Sequence, residues 1–148
     1  MKTVCDLNKC AGCGACVDVC KKNAISIKDS LKTMNAVIDE SLCVNCSACE
    51  KVCPNNTEAK KEKPIEWYQG WVPAVRNHSS SGGAASGLIK TFILNGGYVA
   101  ACLFRDGQFL FDITNDIDYA KRFAGSKYVK SNPANIYSKI AEKLKDGN

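Results

Sequence analysis

The sequence predicts an α+β chain in two parts, on three observations. A dense cysteine run near the N-terminus recurs 33 residues later. A polar, charged stretch ending in proline (NNTEAKKEKP, Asn55–Pro64) then interrupts the pattern. Beyond it, apolar segments with helical and strand-like periods alternate to the end of the chain.

The cysteine runs are CAGCGACVDVC (Cys10, Cys13, Cys16, Cys20) and CVNCSACEKVCP (Cys43, Cys46, Cys49, Cys53, Pro54). Both read C-x2-C-x2-C-x3-C, and the second closes with the C-P pair of the bacterial ferredoxin run. A cubane cluster presents one iron at each of four corners, and each iron takes one soft thiolate. Three cysteines two residues apart can wrap one face of a cube along a tight loop. The longer step then starts a helix that carries the fourth cysteine away. In two-cluster ferredoxins that fourth cysteine ligates the other cluster. This assigns Cys10, Cys13, Cys16 and Cys53 to one 4Fe–4S cluster, and Cys43, Cys46, Cys49 and Cys20 to the other. Gly12 and Gly14 suit a loop whose amides must turn toward sulfur.

Zinc is the competing reading of CxxC pairs, but zinc pairs are usually separated by a longer loop. Eight cysteines in two equal runs favour clusters over zinc. Disulfides fit less well. MKTVCDLNKC lacks the apolar stretch of a signal peptide, and no apolar run is long enough to span a membrane. The expected compartment is a reducing cytoplasm.

The two runs form an internal repeat. Val4/Val37, Asp6/Asp39, Ala15/Ala48 and Val19/Val52 share the offset of 33 with the ligands. The expectation is a pseudo-twofold domain over residues 1–56. Each half would comprise a short strand, a ligand loop, a short helix and a second strand, with Ile25–Ile27 supplying the last in the first half. Cys5 aligns with Ile38 and reads as a strand residue packed in the core.

The formal net charge of +5 counts the cysteines as neutral. An oxidised cluster with four thiolates carries two negative charges, so two clusters bring the balance to about +1. The basic excess therefore offers little support for nucleic acid as a partner. Lys9, Lys21 and Lys22 flank the runs, either as solvated surface or as a dock for an acidic redox partner.

Residues 57–64 read as a linker, and residues 65–148 as a second, partial α/β domain. IEWYQGWV (Ile65–Val72) suggests a strand broken at Gly70. Trp67, Tyr68 and Trp71 would pack in a core or seam, or stack on a flavin. Ala84–Leu94 reads as a helix with Leu88, Phe92 and Leu94 among its apolar positions, stopped by Asn95-Gly96-Gly97. Tyr98–Phe104 and Gln108–Thr114 read as strands joined by an Asp106-Gly107 hairpin turn. Cys102 reads as core within the first of them. Asn115–Phe123 suggests a short helix. Asn132 would cap, and Pro133 open, a last helix to about Lys145. The Ser79-Ser80-Ser81-Gly82-Gly83 loop before a helix is either a plain loop and cap or an anion site for a phosphate or flavin pyrophosphate. Lys127 is either a surface lysine or a contact to such a group. His78, the one histidine, reads as a polar loop residue. No residue reads as a nucleophile or general base, so hydrolase and transferase chemistry gains no support.

In SSSGG (Ser79–Gly83), GGYVAACLF (Gly96–Phe104) and GSKYVKS (Gly125–Ser131), the chain resembles the coenzyme F-420 hydrogenase/dehydrogenase beta-subunit family, in the branch that begins with a two-cluster ferredoxin domain. The resemblance covers essentially the whole chain. It implies bound FAD, and electron transfer between the clusters, the flavin and a deazaflavin coenzyme or another small-molecule substrate. It also implies a redox partner protein or electron carrier. By resemblance, Ser79, Ser80, Ser81, Gly82, Gly83, Gly125, Ser126, Lys127 and Tyr128 would line the flavin or substrate cleft. Two departures stand out. Lys21 follows Cys20 where proline is usual, and the chain stops at KDGN before the GTPCQ-type motif the family leads one to expect. The expectation is therefore the front part of a longer iron–sulfur flavoprotein oxidoreductase. The alternatives are an electron carrier or docking module without flavin, and a structural or oxygen-sensing cluster protein.

Overall fold

The computed structural model describes residues 1–30, 32–129, 131–133 and 135–147. The chain divides into two compact units, Met1–Glu62 and Lys63–Asn148.

The first unit is built on a three-stranded antiparallel sheet of order β1-β3-β2, with β1 at Lys2–Thr3, β2 at Ile25–Asp29 and β3 at Met34–Ile38. Two five-residue helices, α1 (Ala15–Val19) and α2 (Ala48–Val52), pack against each other. They lie 33 residues apart, as the repeat requires. Val4, Cys16, Ile25, Ala36 and Ile38 form the buried core, and Cys10, Cys20, Cys43, Cys49 and Cys53 pack around it. Cys5 is buried as expected, but it follows β1 in a bend rather than lying in a strand. The expected second strand of the second half is also missing. A short 3₁₀ turn, Pro54–Asn56, follows Cys53 instead, and residues 57–62 carry no strand. TEAKKE, residues 57–62, offers no apolar alternation to build one.

The second unit centres on a hairpin of β4 (Val99–Arg105) and β5 (Gln108–Thr114). Asp106 and Gly107 both have positive φ, 51° and 77°, the backbone of a tight two-residue turn. Helix α3 (Pro73–Arg76), which the sequence reading did not anticipate, precedes α4 (Ala84–Leu94). Gly97 N–H donates to the Phe92 carbonyl at 3.0 Å, closing α4 where the Asn-Gly-Gly stop was expected. The buried face of α4 is Ile93, with Ile89 half-buried, against Leu103, Ala120 and Phe123. Leu88, Phe92 and Leu94, also apolar, are exposed.

Further corrections follow from pairing. Ile65–Val72 forms no strand, and Trp67, Tyr68 and Trp71 are exposed rather than packed in a core. Cys102 is half-buried, its thiol 3.0 Å from Ser131 Oγ. The expected helix at Asn115–Phe123 is α5 (Ile117–Ala120) and a 3₁₀ turn (Lys121–Phe123), with Asp116 Oδ1 capping the amides of Asp118 and Tyr119. The last helix, α6, spans Ile136–Lys145. Its N-cap position is Asn135, not the expected Asn132, whose backbone is bonded to the edge of β5. The Asn132 N–H donates to the Phe109 carbonyl at 2.8 Å, and its carbonyl accepts from Phe111 at 3.1 Å. Ala134 of the expected helix start and Lys130 of GSKYVKS lie outside the described residues.

Candidate functional site

The two ligand loops repeat in their backbone as well as their cysteines. Gly12 and Gly14 have φ of 68° and 77°, and Asn45 and Ser47, 33 residues on, have 53° and 57°. This left-handed turning aims amides back at sulfur. Gly12 N–H donates to Cys10 Sγ at 3.4 Å and Asn45 N–H to Cys43 Sγ at 3.4 Å, the same bond in both halves. A third amide, of Ala24, donates to Cys20 Sγ at 3.4 Å. Such donors stabilise thiolate charge and help set cluster potential.

Each helix then delivers its last cysteine. Cys20 and Cys53 are the C-caps of α1 and α2, their N–H groups bonded to Val17 and Glu50 carbonyls and their backbones extended. Because α1 and α2 pack together, each C-cap cysteine can reach the loop of the other run. Cys53 lines one cavity with Cys10, Cys13 and Cys16, among Val4, Ala15 and Ala36. On the other side, Cys20 is close enough to Cys49 to act on its thiol electrostatically.

The donor chemistry fits two 4Fe–4S clusters. Four thiols of the two runs converge on an apolar cavity that Cys5 also lines, and amides face the sulfurs of both runs. Among the described residues, no three Cys, His, Asp or Glu side chains form a ligand group for a single metal ion. A cubane asks for a wider arrangement, with thiolates spread around four irons. Burial, then the neighbouring Cys13 and Cys10, pushes the Cys16 thiol up to about 12. Burial also pushes Cys49 up. Loading the site must therefore expel protons from these thiols. The two sides differ in exposure: Cys16 is buried, whereas Cys46 is exposed, beside Val44 at 60% exposure.

Lys9 is held by Asp6 at 2.9 Å, and that pairing raises its pKa.

In the second unit, Ser79, Ser80, Ser81, Gly82 and Gly83 line one cavity of about 470 Å³ with Gly125 and Ser126. These loops are 42 or more residues apart in the chain, so the fold gathers most of the residues the resemblance implicates. Gly83 has φ of 76° and caps α4, whose first-turn amides have no intrahelical acceptor. A neighbouring cavity of about 530 Å³ is lined by Val75, His78, Ile89, Lys90, Ile117 and Lys121, among others. The sequence reading missed it, since nothing in a linear pattern joins Lys90 to Lys121. The cavities share Ser79, Ser86, Ile89 and Ala124, so they form one trough.

Two implicated residues stand apart. Lys127 Nζ donates to the Phe123 and Ala124 carbonyls at 2.8 Å each, ending the 3₁₀ turn rather than lining the cavity. Tyr128 is 94% exposed. Ser79 Oγ is also committed, donating to the Val75 carbonyl at 2.7 Å.

Compared with known families, residues 9–57 match the model of the 4Fe-4S dicluster domain. This stretch is a 4Fe-4S dicluster domain. No curated protein sequence matches the chain. The dicluster domain supports iron–sulfur electron transfer, and it contains all eight cysteines of the two runs. No helix among the described residues is long and apolar enough to cross a membrane.

Proposed function

We propose that the chain is the electron-input part of a flavin-dependent oxidoreductase resembling the coenzyme F-420 hydrogenase/dehydrogenase beta subunit. The observation that carries the electron-transfer half is the meeting of Cys53 with Cys10, Cys13 and Cys16 in one cavity. Cys10, Cys13, Cys16 and Cys53 hold one cluster; Cys43, Cys46, Cys49 and Cys20 hold the other. When bound, the clusters supply one-electron transfer. The exposed edge at Cys46 and Val44 is where an external carrier approaches. The buried core around Cys16 keeps water from the other cluster.

The trough in the second unit supports the flavin half of the proposal. The α4 N-terminus and the Ser80 and Ser81 hydroxyls suit a pyrophosphate, and the apolar floor of Val75, Ile89 and Ile117 suits a planar ring. FAD, when bound, would join single-electron supply to two-electron reduction of an organic substrate. The committed Lys127 and the exposed Tyr128 favour a second reading, an electron carrier or docking module without flavin.

Purification without oxygen, with iron, sulfide and flavin assayed in one sample, separates the two. About eight irons with about one flavin supports the oxidoreductase. The same iron without flavin, even after reconstitution with FAD, leaves the carrier.

A further inference from the structure

Cys5 belongs to neither run, yet it lines the cavity that Cys10, Cys13, Cys16 and Cys53 share. It is 8% exposed, and it borders the same cavity as Cys53, close enough to interact with it electrostatically. This placement is fixed by bonds on both sides. Val4 N–H donates to the Ala36 carbonyl at 2.9 Å, and Thr3 Oγ1 donates to the Cys5 carbonyl at 2.7 Å. Across the gap, Asn56 Nδ2 donates to the Val4 carbonyl at 2.9 Å, and Asn55 Nδ2 to the Lys9 carbonyl at 2.8 Å. The segment after Cys53 is thereby tied to the segment holding Cys5. A second, open cleft lined by Thr3, Asp6, Glu50 and Asn56 also has Cys5 in its wall. Cys5 thus borders both the open cleft and the cavity that holds Cys53.

Among the described contacts, amides serve the sulfurs of Cys10, Cys20 and Cys43. A thiol beside Cys53 supplies the same service by a side chain. We propose that Cys5 is a positioning residue of the first cluster: its S–H donates to the sulfur of Cys53 and raises that cluster's reduction potential. The proposal rests on the crossed ligand reading above. The direction follows from charge, because a donor favours the state with more negative charge on sulfur, which is the reduced one.

The test is a redox titration followed by electron paramagnetic resonance, with iron counted in each sample. Cys5→Val fills similar volume without a donor, and Cys5→Ser restores one. With full iron, Cys5→Val moves one cluster's midpoint to more negative potential and leaves the other in place, while Cys5→Ser returns it toward wild type. Both midpoints unmoved in an iron-replete Cys5→Val would overturn the proposal. If Cys5→Val loses iron, Cys5→Ser decides: full iron with a near-wild-type midpoint supports a donor, and iron loss there too overturns the proposal. A wild-type chain that cannot hold two clusters would instead sink the ligand reading, and this proposal with it.

Discussion

Cys20 and Cys53 sit at the ends of helices that start in one run and finish beside the other. Replacing Cys20 with Ser is therefore expected to damage the cluster of Cys43, Cys46 and Cys49 and spare that of Cys10, Cys13 and Cys16. Iron content and low-temperature paramagnetic spectra after reduction read this directly, and selective loss of the first cluster would refute the crossed arrangement. Ser47 carries a left-handed φ of 57° with a side chain attached. Such a conformation costs about 1–2 kcal/mol for a residue with a Cβ. Ser47→Gly should keep both clusters and bleach at a higher temperature, with a gain of up to about 1 kcal/mol after glycine's own entropy is set against it. Asp116 caps two amides of α5, at 2.7 and 3.0 Å. Asp116→Ala should lower stability by about 1 kcal/mol, measured by urea unfolding followed by circular dichroism.

Asp112 of β5 joins three elements. It accepts from Tyr119 beyond the start of α5 at 2.7 Å, from Lys139 of α6 at 3.3 Å, and from Arg105 of β4 at 3.4 Å. Burial pushes its carboxyl up, but the bonds from Tyr119, the Ile113 amide and Lys139 outweigh this and hold it below the ordinary value. A depressed carboxyl contributes stability that is complete above the unfolded value, about 3.9, and is lost as pH falls through the lower folded one. The stability difference between wild type and Asp112→Asn should shrink as pH drops below about 4, and a difference that stays constant to the lowest pH would count against this linkage. The same elements show what the sequence could tell. Helix α4 and the hairpin were legible because their signals are local: Asn-Gly-Gly stops a helix and Asp-Gly turns a strand. The buried face of α4 was not, because both the Leu88/Phe92 and Ile89/Ile93 stripes are apolar at helical spacing. Packing against Leu103 and Phe123 selected the second. The start of α6 was misread for the same kind of reason, since Asn132 is claimed by β5. At the site, the cysteines were legible because cluster chemistry constrains their spacing. The direction of Lys127 was not, because two carbonyls from a neighbouring turn decide it.

The division between Glu62 and Lys63 places every cysteine of the two runs in the first unit. A chain of residues 1–62 should then assemble about eight irons by itself, and one of residues 63–148 should bind none. Iron retained by the second piece, or a first piece that cannot be reconstituted, would contradict that division of labour. The paired torsions at residues 12 and 45, and at 14 and 47, carry a further consequence. One loop is spelled with glycines and the other with asparagine and serine, yet both trace the same path. What the halves share is thus a rhythm of handedness more than a text. A half-domain of this kind, far drifted in its letters, would still be known by where its backbone turns left.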